Sequence, residues 1–264
     1  MKKILIAIPH YGSSNRKWLY KCLSEYNKFK NYSIDVHLYT TDNFDIPIFE
    51  NLSIYNSSYD SSIGQMLVHE HKLWFNELKN DYDYYIYCED DVFITSDVFE
   101  SYVDIQSKLK SPFACGLMRY EFKDENGYKF LFDQHPVHSV HRGGNKIIKE
   151  NYIIKDESYF EVYNIHQGCY ILNRELLNRV IDSGHYLDRV GYYAGHPLEG
   201  AASDVYYKCG IIKLIPRNRV NELLVHHLPN KYVNMLPEIY TEDTTPNEIK
   251  ISLTQTEMAP TYVL

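Results

Sequence analysis

Several enzyme signatures are missing from this chain. No Gly-x-Gly-x-x-Gly occurs, and no Gly-x-x-x-x-Gly-Lys-Ser/Thr, so dinucleotide oxidoreductases and P-loop NTPases are poorly supported. The absence of a Gly-x-Ser-x-Gly elbow weakens a hydrolase reading. No run of apolar residues approaches the length of a membrane helix. The Met-Lys-Lys start leads into an apolar stretch that ends at Pro9, too short for a signal-peptide core. A formal net charge of −8 argues against a nucleic-acid-binding surface, which needs a basic patch. Cysteine is sparse: Cys22, Cys88, Cys115, Cys169 and Cys209 lie far apart with no C-x-x-C pair. That scatter fits reduced, mostly buried thiols in a cytosol-like compartment, so a cytoplasmic protein is expected. Tryptophan is rare beside 26 tyrosines; a tyrosine ring with its polar tip suits stacking on sugars and bases.

What is present reads as α/β. At 264 residues and 44% apolar content the chain suits one large domain with a sizeable core. Lys3–Pro9 is a continuous apolar run, as in a strand buried on both faces of a mainly parallel sheet. Ser13, Ser14 and Asn15 supply capping side chains for a helix whose inward face carries Trp18, Leu19, Cys22, Leu23 and Tyr26. Ile34, Val36 and Leu38 alternate in a second strand that ends at Thr40-Thr41-Asp42, and Leu52–Tyr55 forms a short third. The pattern predicts one helix over Ser61–Lys79, capped by Ser61 or Ser62, and another capped by Asp97 that runs to about Leu109. Ser111–Glu121 reads as a strand, Tyr159–Leu172 as two short ones, and Ile211–Ile215 as another. Asn173 caps a further helix that ends at Gly184.

Tyr84-Tyr85-Ile86-Tyr87-Cys88 delivers three consecutive carboxylates, Glu89, Asp90 and Asp91, before the chain turns apolar again. An unpaired buried charge costs more than its packing returns, so the strand should end at these acids. Adjacent acids repel, and a hard divalent cation with oxygen ligands, Mg²⁺ or Mn²⁺, is the natural group to hold them together. His135, His138 and His141 recur every third residue in the irregular stretch Phe122–Glu150. Without a fourth ligand at suitable spacing they read as part of an acceptor-binding loop in preference to a zinc site.

The acidic stretch resembles the Asp-x-Asp-type metal motif of GT-A fold glycosyltransferases, in its Glu-Asp-Asp form. The resemblance extends to Lys3–Gly12 and, more loosely, to His166–Lys231. It implies a GT-A-like, Rossmann-type mixed sheet, mainly parallel and flanked by helices. The chain would be one domain over 1–264: a nucleotide-binding half (1–110), an acceptor and catalytic half (111–236) and a polar C-terminal tail (237–264) that wraps the surface or lies loose. By the same likeness Pro9, His10, Tyr11 and Asp42 line the base and ribose pocket, with a turn cap as the plain alternative for Asp42. Lys72 would turn toward the nucleotide, unless it is simply solvated, and Gly168 would let the donor sugar approach the backbone. Asp91, helped by Glu89 or Asp90, would hold Mn²⁺ or Mg²⁺ together with a late histidine, His226 or His227, while Lys231 touches the diphosphate. Glu199 or Asp204 would be the base on the acceptor hydroxyl, although Asp204 reads equally as a dipole partner at a helix start.

The function implied is a metal-dependent glycosyltransferase carrying a sugar from a nucleotide-diphosphate sugar, a UDP-sugar above all, to a glycan hydroxyl. Inversion is expected, though retaining enzymes share the scaffold. The alternatives are a non-catalytic carbohydrate-binding protein on the same scaffold and a sugar-phosphate nucleotidyltransferase.

Overall fold

The computed structural model describes residues 1–122, 129–131, 133, 148–189, 196–232 and 261–263. The histidines at 135, 138 and 141, most of the 122–150 stretch, Gly195 and most of the 237–264 tail lie outside the described residues. The protein is mixed α/β, with sheets of mostly parallel strands flanked by helices. Its residues gather into two compact units that interleave in sequence, 1–96 with 166–211 and 97–165 with 212–264.

The first unit is built on β1 (Lys2–His10), β2 (Tyr32–Thr40), β3 (Leu52–Ser58), β4 (Tyr84–Cys88) and β11 (Cys169–Asn173), with the short β5 (Val92–Phe93) just after the acids. The first five form one sheet in the order β11-β4-β1-β2-β3. β1 runs parallel to β2 and β4, β2 runs parallel to β3, and β11 pairs antiparallel to β4. β1 is buried from Ile4 to His10 and β4 throughout, because central parallel strands are covered on both faces. Helix α1 (Arg16–Tyr26) connects β1 to β2 and buries Leu19, Cys22, Leu23 and Tyr26.

The single helix expected over Ser61–Lys79 is a 3-10 helix, Ser61–His69, followed by α2 (His71–Glu77). Gly64 (φ 54°, ψ −137°) breaks the first turns, a conformation open to glycine and closed to most residues. The cap is Asp60, whose carboxylate accepts the Ser62 N–H at 2.8 Å, and not Ser61 or Ser62. The residues buried along this segment are Leu67, Val68, His69, His71, Lys72 and Phe75. Helix α4 (Arg174–Asp182) follows β11 as the sequence predicts, with Asn173 Oδ1 accepting the Leu176 N–H at 2.8 Å. Helix α5 (Pro197–Tyr207) packs against the 3-10 helix.

The second unit contains α3 (Ser96–Gln106), whose first turn, and not its cap, carries Asp97. The strand expected over Ser111–Glu121 is two: β6 (Phe113–Cys115) and β7 (Met118–Phe122). They part at Gly116 because they join different sheets. β6 pairs with β12 (Ile212–Pro216), and β7 pairs with β13 (Leu224–His227) and β8 (Lys129–Phe130). A side chain at 116 would meet Lys213 Cγ at 2.5 Å, so the crossing point also demands glycine. β9 (Ile148–Ile154) and β10 (Glu157–Val162) form an antiparallel ladder that β12 extends. Thr261–Val263 of the tail adds β14 to β9.

Candidate functional site at the strand ends

Three neighbouring segments of the first unit's sheet end together. β1 ends at His10, β2 at Thr40, and β4 delivers the acids just beyond Cys88. Open α/β sheets hold ligands outside the carboxyl ends of their strands. Asp90 and Asp91 are buried, at 7% and 5% exposure, while Glu89 is half-buried. Asn15 joins the two aspartates: its amide Nδ2 donates to Asp90 Oδ1 at 2.9 Å and to Asp91 Oδ2 at 3.2 Å. On the other side His10 Nδ1 lies 2.5 Å from Asp90 Oδ2. Burial raises the Asp90 carboxyl above its ordinary value, and the Asp91 charge adds to this, against hydrogen bonds from His10 and Asn15 that favour the ionised form.

Asn15 occupies the cap position of α1, yet its side chain makes no capping bond. The sequence pattern offers no signal for this, because an asparagine before a helix reads as a cap. Around the same edge Gly12 N–H donates to Thr41 Oγ1 at 3.0 Å, and the Tyr11 hydroxyl, on a half-exposed side chain, reaches the Ser61 carbonyl. Asp42 pairs with Arg16, whose guanidinium lies over the Phe44 ring at 4.7 Å. Thus Pro9, His10, Tyr11, Asp42, Asp90 and Asp91 do converge, and Asn15, Arg16, Thr41 and Phe44 join them.

Gly168 belongs to this rim. Its carbonyl accepts the Glu89 N–H at 2.9 Å, its φ is +71°, and a Cβ there would stand 2.9 Å from Glu89 Oε2. What passes close to this backbone is the Glu89 carboxylate.

Lys72 and Asp204 are brought together, but away from solvent. Lys72 Nζ is 3.4 Å from Asp204 Oδ2 and donates to the Asp188 carbonyl at 3.0 Å, and Lys208 approaches the same carboxylate at 3.3 Å. Burial lowers the Lys72 pKa, with the Asp204 charge opposing. Neither a solvated lysine nor a carboxylate at a helix start describes them. Asp204 lies in the last turn of α5, fully buried, held by two cations. The small residues Gly200, Ala201, Ala202 and Ser203 are buried too, and they admit close helix packing. Glu199 is the acid of the first turn, half-buried.

In the second unit His227 is buried, with Nδ1 on the Glu121 carboxylate and its ring stacked on Tyr232 at 5.1 Å. His226 stacks on Tyr120 at 4.9 Å, and its Nε2 meets Asn230 Oδ1 at 3.0 Å. Lys231 is exposed and its Nζ lies over the Tyr232 ring.

Among the described residues no group of three or more His, Cys, Asp or Glu side chains is arranged to hold a metal ion by itself. The donor chemistry of Asp90 and Asp91 nevertheless suits a hard cation. Mg²⁺ is commonly bound by one or two carboxylates with the remaining positions filled by phosphates and water. Among the described residues no helix is long and apolar enough to cross a membrane. No protein-family model matches the chain, and no curated protein matches it in sequence.

Proposed function

We propose that the protein is a metal-dependent glycosyltransferase that moves a sugar from a nucleotide-diphosphate sugar, a UDP-sugar, to a glycan hydroxyl with inversion. The observation that carries this reading is the pair of buried aspartates, bridged by one asparagine, at the carboxyl end of a parallel strand beside the end of β1. Asp91, with Glu89 or Asp90, is the proposed holder of Mn²⁺ or Mg²⁺. A divalent cation supplies charge neutralisation for the departing diphosphate. His10, Tyr11 and Asp42 are assigned to the nucleoside. Glu199, in a first turn and partly exposed, is the proposed base that takes the proton of the acceptor hydroxyl; the enclosure of Asp204 argues for a scaffold role.

Calorimetric titration tests the reading. UDP should bind with Mn²⁺ and not without it, and Asp91→Ala should abolish that binding while the circular dichroism spectrum stays unchanged. Glu199→Gln should keep donor affinity and lose turnover. Binding of free glycan with neither nucleotide nor metal would instead make the protein a lectin on this scaffold.

A further inference from the structure

The first unit's sheet has an open edge. β3 is the last strand in the order β11-β4-β1-β2-β3, and among the described residues no strand pairs with its outer side. Its neighbour β2 fixes which backbone groups face out. The register runs from Ile34 opposite Leu52 to Thr40 opposite Ser58 without a shift, and the Tyr59 N–H just beyond donates back to the Thr40 carbonyl at 2.7 Å. Along a strand the N–H and C=O of successive residues point to alternate sides. Ser53, Tyr55 and Ser57 therefore face β2 together with Tyr59, while Leu52, Ile54, Asn56 and Ser58 turn both backbone groups outward.

Edge strands in soluble proteins are blunted by brevity, charge, proline or a bulge. β3 has none of these. It is seven residues long, carries no charged side chain and no proline, and keeps an unbroken register. At its middle Tyr55 is 52% exposed and packs on His37 at 5.0 Å, whose ring in turn meets Trp74 at 4.8 Å. An aromatic side chain held rigidly at the surface is the kind of anchor that protein interfaces use. Ile48, in the loop leading into the strand, is fully exposed as well.

We propose that β3 pairs with β3 of a second copy of this chain, antiparallel about a twofold axis at Tyr55, so that the two sheets become one. The occupant follows from the strand's own symmetry. With Tyr55 opposite Tyr55, Leu52 meets Ser58 of the second copy and Ile54 meets Asn56, so every outward residue falls in a hydrogen-bonded pair. Tyr55 falls in a non-hydrogen-bonded pair, where side chains approach most closely and two aromatic rings stack. Ser53 faces Ser57 of the second copy. No charges oppose each other along the strand, and a charged partner segment would find no counter-charge on it. A twofold contact of this kind closes at two copies and does not run on as a fibre.

Sedimentation velocity of the full chain over a wide range of concentration tests it and should show a monomer–dimer equilibrium. Tyr55→Lys sets two ammonium groups opposite each other; Asn56→Pro removes an outward N–H where an edge strand tolerates proline. Each should weaken the dimer about tenfold or more while the circular dichroism spectrum stays unchanged. Added salt should tighten the dimer, since each copy carries a formal charge of −8. Crosslinking with diamide as the oxidant tests the register. Tyr55→Cys should form a disulfide between copies, and Ser53→Cys, which faces position 57 and not itself, should not; the five native cysteines are all buried. The same crosslink decides the matter if Tyr55→Lys or Asn56→Pro fails to fold. A monomer at every concentration overturns the inference. So does a dimer that both substitutions leave intact, a dimer that salt disperses, or a Ser53→Cys crosslink stronger than that of Tyr55→Cys.

Discussion

Lys72 and Asp204 meet where water does not reach, with side chains 2% and 1% exposed. Breaking such a pair leaves a buried charge uncompensated, which typically removes 3–5 kcal/mol, about 3 here because Lys208 remains beside Asp204. Urea denaturation of Lys72→Met should show that loss, and the double variant with Asp204→Asn should recover part of it. His69 gives the fold a pH dependence of definite sign. Burial pushes its pKa down to about 3, with the charges of Lys72, Arg189 and Lys208 acting the same way. The unfolded chain takes up this proton near pH 6.5 and the folded chain only near 3. Between those values the unfolded state binds more protons, so stability falls as the solution is acidified. His71 adds to the same trend: burial lowers its pKa too, and its neutral ring spans the Val68 carbonyl and the Tyr170 hydroxyl. Stability measured from pH 7 to 4 should decline less steeply in His69→Gln than in the parent. Gly168→Ala should cost on the order of 1–3 kcal/mol, since φ is +71° and the added carbon meets the Glu89 carboxylate. None of these roles was legible in the sequence. A lysine, an aspartate and a histidine on amphipathic segments carry no sign of what will face them.

Elements were far more legible than contacts. The apolar run of β1 and the alternation of β2 match the observed strands, and the acids do stand at the end of β4. Asn173 was readable as a cap and is one; Asn173→Ala should cost about 1 kcal/mol. Asn15 has the same appearance and a different occupation. Asn15→Ala should cost little helix stability, since no capping bond is lost, yet should weaken Mn²⁺ binding measured by calorimetry, because two adjacent carboxylates lose their common donor. Local rules failed where glycine interrupts a pattern. Gly64 splits an apparent helix, and Gly116 splits an apparent strand between two sheets. Periodicity averages across several residues and is blind to one left-handed or crowded position.

On the scale of the whole molecule, binding should be visible as stability. A ligand that binds only the folded state at a hundred times its Kd contributes about 2.7 kcal/mol. UDP with Mn²⁺ should therefore raise Tm by several degrees, and the shift should vanish in Asp91→Ala. The two units each draw on separated stretches of chain, 1–96 with 166–211 and 97–165 with 212–264. No local pattern announces such a division, because it depends on which strands pair. By itself the sequence determined the α/β class, the strand that carries the acids, and the asparagine that opens α4, since each follows from hydrophobic period, charge burial or capping within a few residues. Only the tertiary structure decided that Asp204 is enclosed with Lys72, that Asn15 bridges Asp90 and Asp91, and that one nitrogen of His10 is left bare. Those outcomes depend on contacts between residues 75 to 132 positions apart, and hydrogen bonds in a folded chain follow proximity in space, which a linear pattern does not record.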